Sequence, residues 1–444
     1  MIGYDMFRRL GRLCLRLLFV ALTGIYSAAL AANLSNQDAA PNPFNPNAGE
    51  SSTISYDLAN NSLLWLRIYD GGGSLRRDLV TPGGFTAANR AAGADKTEVW
   101  DGRDNSASIL PNGSYPYHID AAYFTTHSSP FNTSGQQVHD IAVNPANPDI
   151  VWSLNKSDNY VYRSSDGGIN FSPVTGTGAD AKAYGIALSD DGQTIYIANE
   201  GQNALIRSTN GGASWGRTAK LPSTQARDVA INSTGSIIYV SASGASFREV
   251  YKSTNGGASW SICNLSGISL SDEVRGVATD PTGTTLLVVD SANDRIIRST
   301  DGCASASVVP NISSGSAPGR VSNPYQIELL GDGGFWVSDR NNHRIQQFDA
   351  NGNVLMVYGG TTEGSGNYQF DFANNKYPGI DIATIGDQSY IFVADYNNIR
   401  VKKIGFDNWQ SSTDIIIADN TAPVGGYSVD DVIPAGQLSQ ASDG

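Results

Sequence analysis

The residues that could do chemistry are few and scattered. Four histidines stand at His118, His127, His139 and His343, without the short spacings that let two imidazoles share one metal. Beyond Cys14, the cysteines are Cys263 and Cys303, a pair able to form one disulfide but no C-x-x-C metal or haem motif. Asp101, Arg103 and Asp104 crowd one segment, and Asp272 adjoins Glu273. The first group reads as a braced strand and turn. Adjacent carboxylates such as the second point different ways, whereas a glycosidase needs two facing each other across a cleft. No H-E-x-x-H occurs. This inventory assigns no catalytic residue, no metal ligand and no cofactor.

Elements must therefore be read before sites. Residues 1–31 hold Arg8, Arg9, Arg12 and Arg16, then LLFVALTGIY, then Ala29-Leu30-Ala31, the pattern of a cleaved secretory signal. Removing its four Arg and one Asp takes the formal charge from −13 to −16. An acidic product repels nucleic acid and anionic membrane surfaces. The expected setting is export to the periplasm, cell surface or exterior, with no membrane insertion after cleavage.

The chain is 40% hydrophobic, 16% charged and rich in glycine and tyrosine, with 48 and 20 residues. That composition favours an all-β protein of short strands and many turns. Residues 40–124 alternate in Thr53–Tyr56 and Trp65–Tyr69 and break at Asp70–Gly73 and Pro111–Gly113, as in a small antiparallel sandwich. NPFNP, IYD-x-x-G, VWDGRDN and LPNGSYPYHIDA follow one another in order. Together they resemble the Ig-like domain of the flagellar hook-capping family, which implies a spacer or sorting module.

From residue 135 to 418 one grammar repeats. Short apolar strands centre on Ile141, Ile186, Val229, Val277, Ile327 and Ile380, at spacings of 45, 43, 48, 50 and 53. Each is followed by a second and a third strand, and in the first four repeats by a glycine-rich turn. Four strands per 40–50 residues is the blade of a β-propeller, and six blades fit. The expected architecture is an Ig-like β-sandwich (40–124), a six-bladed propeller (135–418) and a flexible tail (419–444). Residues 415–437 also resemble a link into a further Ig-like module.

SSDGGINF (164–171) and STNGGASW (208–215 and 253–260) resemble Asp-box, or BNR-type, hairpins. Asp166, Asn210, Asn255 and Asp301 would accept backbone N–H bonds, while Phe171, Trp215 and Trp260 plug the hairpin. The resemblance implies structural turns, on the face away from any active site. In the fourth copy Ala306 replaces the aromatic and Cys303 a glycine, so a Cys263–Cys303 bridge would offset lost packing. VVDSANDRII, VSDRNNHRIQQF and VADYNNIRVKKI resemble NHL repeats. There Asp290, Asp339 and Asp395 precede Arg295, Arg344 and Arg400 by five residues. Such pairs brace a hairpin loop, and exposed ones contribute little each.

Two residues before each inner-strand centre, the register places His139, Tyr184, Arg227, Arg275, Tyr325 and Pro378, with Tyr377 adjacent. Asn341, Asn342, Asn397 and Asn398 belong to the same face. An aromatic, cationic and amide-rich mouth suits a sugar, a carboxylate or a peptide end; the bland alternative is a solvated rim. The expected function is non-catalytic recognition or scaffolding, with a surface or periplasmic protein, peptide or glycan as partner. A glycosidase or lyase acting on extracellular polysaccharide is the enzymatic alternative, since Asp-box propellers include glycosidases and NHL-like ones include lyases. A third reading is a structural piece of a larger surface assembly.

Overall fold

The computed structural model describes residues 34–80, 89–128, 137–155, 161–178, 183–200, 202–223, 225–244, 247–360, 362–372, 377–385, 388–410 and 414–418. The expected signal (1–31) and tail (419–444) lie outside them. The described chain is all-β: mainly antiparallel sheets joined by turns, with only short 3-10 turns as helix. Among the described residues no helix is long and apolar enough to cross a membrane.

Five four-stranded sheets follow one another. Their first strands are Val138–Val143, Ala183–Leu188, Ala226–Ile231, Val274–Thr279 and Pro324–Leu329. A sixth sheet starts at Ile380–Ile385. Each first strand packs on the next, and Ile380–Ile385 packs back on Val138–Val143, so the six form a closed circuit. Between sheets lie apolar layers, for example Trp152, Leu154, Ile186 and Ile197, all buried. Both faces of each inner sheet are covered, which is why these strands read as apolar runs rather than as alternation.

The sixth sheet departs from the expected boundaries. Its third strand, Arg400–Gln410, pairs with Tyr117–Ser128, which also pairs with Ser62–Tyr69. One long strand from the N-terminal unit thus completes the last sheet of the ring, and no break falls at residue 124. Ile415–Ile417 pairs with Gly113–Tyr115, and Ile415 and Ile417 sit in the N-terminal core. That segment returns to the first unit rather than leading away from it.

The N-terminal unit has a second sheet of Leu34–Ala40, Ser52–Leu58 and Gly93–Trp100. Ser52–Leu58 alternates buried and half-buried residues, placing Ile54 and Tyr56 against Trp100, Leu66 and Ile119. The Asp101–Asp104 group is a turn: Asp104 Oδ1 accepts the N–H groups of Ser106 and Ser108 at 2.8 and 2.9 Å, and Asp101 accepts that of Arg103.

Candidate functional site

The innermost strands begin at one end of the ring, and their first side chains meet on its axis. Tyr377 lies 4.1 Å from the His139 ring, 5.2 Å from Tyr325 and 5.4 Å from Tyr184, all edge-to-face. Tyr184 and His139 are 4.8 Å apart. Arg227 stands over Tyr184 at 5.1 Å and Arg275 over Tyr325 at 5.8 Å. His139, Tyr184, Arg227, Arg275, Tyr325 and Tyr377 are therefore brought together, but not as an open rim. His139 is 1% exposed, Tyr325 5% and Tyr184 7%, with Tyr377 half-buried over them. Aromatic rings directed at the axis of so small a circuit fill it with one another, and edge-to-face pairing rewards the closure.

Residues that the sequence reading did not place complete this plug. Arg227 is held by Glu200 at 2.5 Å, and Arg275 by Glu273 at 3.2 Å. Glu273 also faces Arg340 at 3.8 Å, so three guanidiniums meet two carboxylates. Arg340 is 4% exposed, and its Nε has no acceptor among the described residues. Burial lowers the Arg340 pKa, and Arg275 adds to that while Glu273 opposes it. Burial raises the Tyr184 and Tyr325 phenols well above their ordinary value, so both remain neutral donors at neutral pH. Arg340 directly follows the brace residue Asp339, a position that could have drawn notice.

The asparagines expected on this face are spent on the loops themselves. Asn342 donates to Asp339 and to the Gly315 carbonyl, Asn398 to Asp395 and the Gly364 carbonyl, and Asn397 to Asp371. The three Asp–Arg pairs close at 2.7, 2.7 and 2.6 Å. They are not surface pairs: all three carboxylates are fully buried, and Arg344 and Arg400 are only 4% and 8% exposed. Arg344 also donates to the carbonyls of Ser316, Ala317 and Arg320, pinning the segment that leads into the fifth sheet.

The repeated glycine turns follow the third strands and so lie at the other end of the ring. Asp166 Oδ1 accepts the N–H groups of Ile169 and Asn170, and burdened with these bonds its pKa falls to about 2 although burial opposes the shift. Asn210 and Asn255 accept from Ser214 and Ser259, and Asp301 from Ala304 and Ser305. A serine two residues earlier matters as much. The hydroxyls of Ser164, Ser208, Ser253 and Ser299 are buried, donate to the Asp or Asn, and accept the N–H of Gly168, Gly212, Gly257 or Cys303. Trp215 meets Trp152 edge-on at 5.9 Å, and Trp260 donates to the Ala219 carbonyl at 3.2 Å. In the fourth copy Cys303 is joined to Cys263, and both pack with Ala306 in one apolar cluster.

Beneath the plug the axis holds a cavity of about 130 Å³, lined by inner-strand residues with Gln326, Glu328 and Asp381. The residue before each inner-strand centre alternates around the ring: Asp140, Gly185, Asp228, Gly276, Gln326, Gly379. Each glycine leaves room for a neighbour. A Cβ on Gly379 would stand 2.6 Å from the Asp140 Cα, one on Gly185 2.7 Å from the Asp228 Cα, and one on Gly276 2.9 Å from the Gln326 Cα. The acids link the sheets: Asp140 accepts Ile186 N–H at 2.9 Å, Asp228 accepts Val277 N–H at 2.8 Å, and Asp381 accepts Val143 N–H at 2.5 Å.

His343, Glu363 and Asp371 bring ligand-type atoms within 4.8 Å of one another. However, His343 Nδ1 accepts the Phe372 N–H at 3.1 Å. A neutral ring then carries its proton on Nε2, which leaves no lone pair there for a metal.

The NHL repeat family matches residues 329–348, which span the second and third strands of the fifth sheet. No curated protein matches the chain. A structural genomics protein of unknown function from Bacteroides thetaiotaomicron superposes with a TM-score of 0.51 at 14% identity, over 85% of this chain and 99% of that one. An auxiliary nutrient binding protein from the same organism gives 0.48 at 14% identity, over 83% and 96%. Virginiamycin B lyase from Staphylococcus aureus gives 0.43 at 15% identity, over 67% and 93%. The repeat match and the first likeness support an all-β, propeller-like fold and carry nothing about activity.

Proposed function

We propose that the chain is an exported, non-catalytic recognition or scaffold protein. In this reading an Ig-like sandwich is followed by a six-bladed propeller of Asp-box and NHL-type blades. The propeller binds a surface protein, a peptide or a glycan on its plugged face. The observation that carries the reading is the cluster of Tyr184, Tyr325 and Tyr377 with Arg227, Arg275 and Arg340. Tyrosine and arginine dominate binding hot spots, because a rigid ring or planar fork gives much contact for little entropy. Tyr377 offers a partly exposed ring for stacking. The surrounding guanidiniums outnumber their carboxylates, which favours a ligand carrying hydroxyl or carboxylate oxygens. The sandwich, fused to the ring through a shared strand, serves as a fixed arm.

The test is a glycan and peptide array probed with the full chain, the Tyr184→Ala/Arg227→Ala double variant, and Trp260→Ala from the opposite face. Binding by the chain and by Trp260→Ala, lost in the double variant, is the expected result. Binding that survives the double variant, or no binding at all, overturns the small-ligand reading of this face.

A further inference from the structure

The sheet that the N-terminal unit shares with the ring has two unlike faces. Along Ser62–Tyr69 successive side chains point opposite ways. Leu64, Leu66 and Ile68 enter the N-terminal core. On the other face Leu63 joins Trp336, Tyr358 and Phe406 of the ring, but the next residues on that face are Trp65, Arg67 and Tyr69. There the sheet and the ring part. These three residues line a cleft of about 590 Å³, whose far wall comes from residues 311–320 and 349–355 around the fifth sheet. Asp78 and Leu75 extend the same face, since they stand opposite Arg67 and Tyr69 on the neighbouring strand and also line the cleft.

A face that packs against a neighbour is normally apolar, and buried polar groups are the informative exception. Here they are held from within the protein. The Arg67 guanidinium lies over the Trp65 ring at 4.2 Å, and donates to Asp120 at 3.0 Å and to the Tyr69 hydroxyl at 3.2 Å. Trp65 donates its indole N–H to Asp78 at 3.3 Å, and the His118 ring lies 4.4 Å from that of Tyr69. On the far wall Asn353 donates its side-chain amide to Asp349 at 2.8 Å and accepts that of Asn311 at 3.1 Å. Ser74, Asn311 and Ser313 are exposed. Polar groups fixed in this way meet a ligand without first being ordered, which lowers the entropic cost of binding.

We infer that this cleft binds a short stretch of neutral oligosaccharide. Its volume lies within the roughly 300–1,000 Å³ of small-ligand sites. Its charged residues are Arg67, Arg320, Asp78 and Asp349, two of each sign, so it selects neither an anion nor a cation. Carboxylates accept, guanidiniums donate, and amides and hydroxyls do both, as each sugar hydroxyl does. Leu75, 44% exposed, offers apolar surface with Tyr69, Pro318 and Val354 for the C–H faces of a pyranose ring. A lipid chain would leave the polar groups without partners. A phosphorylated ligand would need an excess of positive charge. A peptide cannot add to Leu75–Val80 as a further strand, because Asn105 takes that edge: its N–H donates to the Arg76 carbonyl and its side-chain oxygen accepts the Asp78 N–H, both at 2.9 Å. The cleft shares no residue with the plug, so the inference does not rest on recognition there.

The experiment titrates the full chain by calorimetry with maltotriose, cellotriose, xylotriose, mannotriose and chitotriose at millimolar concentration. At least one of them should bind. Ser313→Trp sets an indole in the cleft from an exposed position and should weaken binding by about tenfold or more. Leu75→Ala trims one exposed contact and should weaken it by a smaller factor; it decides the matter if Ser313→Trp does not fold. Tyr184→Ala/Arg227→Ala, in the plug, should bind as the parent does. The inference is overturned if no trisaccharide binds, or if both cleft variants bind as the parent does. It is also overturned if only the plug variant loses the sugar, because the sugar then sits on the plugged face. A hexapeptide of alternating glycine and serine is run alongside, and its binding in place of the sugars would overturn the assignment to saccharide.

Discussion

Gly185→Ala probes the inner ring most sharply. The φ of Gly185 is not in the left-handed region, so alanine meets no backbone strain and only the space matters. Its Cβ would stand 2.7 Å from the Asp228 Cα and 3.1 Å from the Val229 nitrogen. Carbon atoms in contact prefer about 3.5–4.0 Å, so the overlap is roughly 1 Å and falls on backbone that cannot rotate away. The second and third sheets must part, and the bond from Val277 N–H to Asp228 is strained with them. Overpacking costs about 1–3 kcal/mol, and a lost hydrogen bond about 1 kcal/mol. A loss of about 2–4 kcal/mol follows, read as a lower urea midpoint. Gly216→Ala is the control, since its Cβ would meet nothing within 4 Å. If Gly185→Ala unfolds at the urea concentration of the parent while Gly216→Ala does the same, the alternation of large and small residues does not pack the axis as described.

Three further outcomes are expected. Arg344→Met leaves the Asp339 carboxylate buried without its cation and should cost about 3–5 kcal/mol, whereas Arg295→Met, at a guanidinium 27% exposed, should cost clearly less by urea unfolding. Ser253→Ala removes the acceptor of the buried Gly257 N–H and should cost about 1–3 kcal/mol, again by urea midpoint, without altering binding on the opposite face. The chain should gain stability as the pH falls from about 7 towards 5.5. Asp228 and Asp381 have folded pKa values raised from 3.8 to about 7, so over this window the folded state holds more protons than the unfolded one. Asp166 and Asp301, lowered to about 2, do not titrate in that window. A midpoint that is flat or falls on acidification would contradict the raised pKa of Asp228 and Asp381.

How far the sequence could be read depended on whether a feature was local. The inner strands repeat as short apolar runs because each is covered on both faces, and that pattern survives without knowledge of partners. The Asp–Arg braces and the glycine turns are likewise local, closing within five residues. Their burial was not legible: Arg344 is covered because Ser316–Arg320 folds over it, a contact set by another segment. The double role of Tyr117–Ser128 was hidden for the same reason. Its second edge pairs with Arg400–Gln410, nearly three hundred residues on, and nothing in either stretch announces the other. The mouth residues could be chosen from register alone, but whether they line an opening or fill it depends on the width of the circuit. Two inner-ring acids, Asp140 and Asp228, were within reach, since Asp140, Gly185, Asp228, Gly276, Gln326 and Gly379 share one register position.

The most direct test of the recognition reading is hydrogen exchange on the full chain, with and without the tightest ligand found on the arrays. Protection concentrated at the starts of the inner strands, around residues 139, 184, 227, 275, 325 and 377, is the predicted result. Protection centred on the turns at Asp166, Asn210 and Asn255, or on the N-terminal sheets, would contradict it and move recognition to another surface.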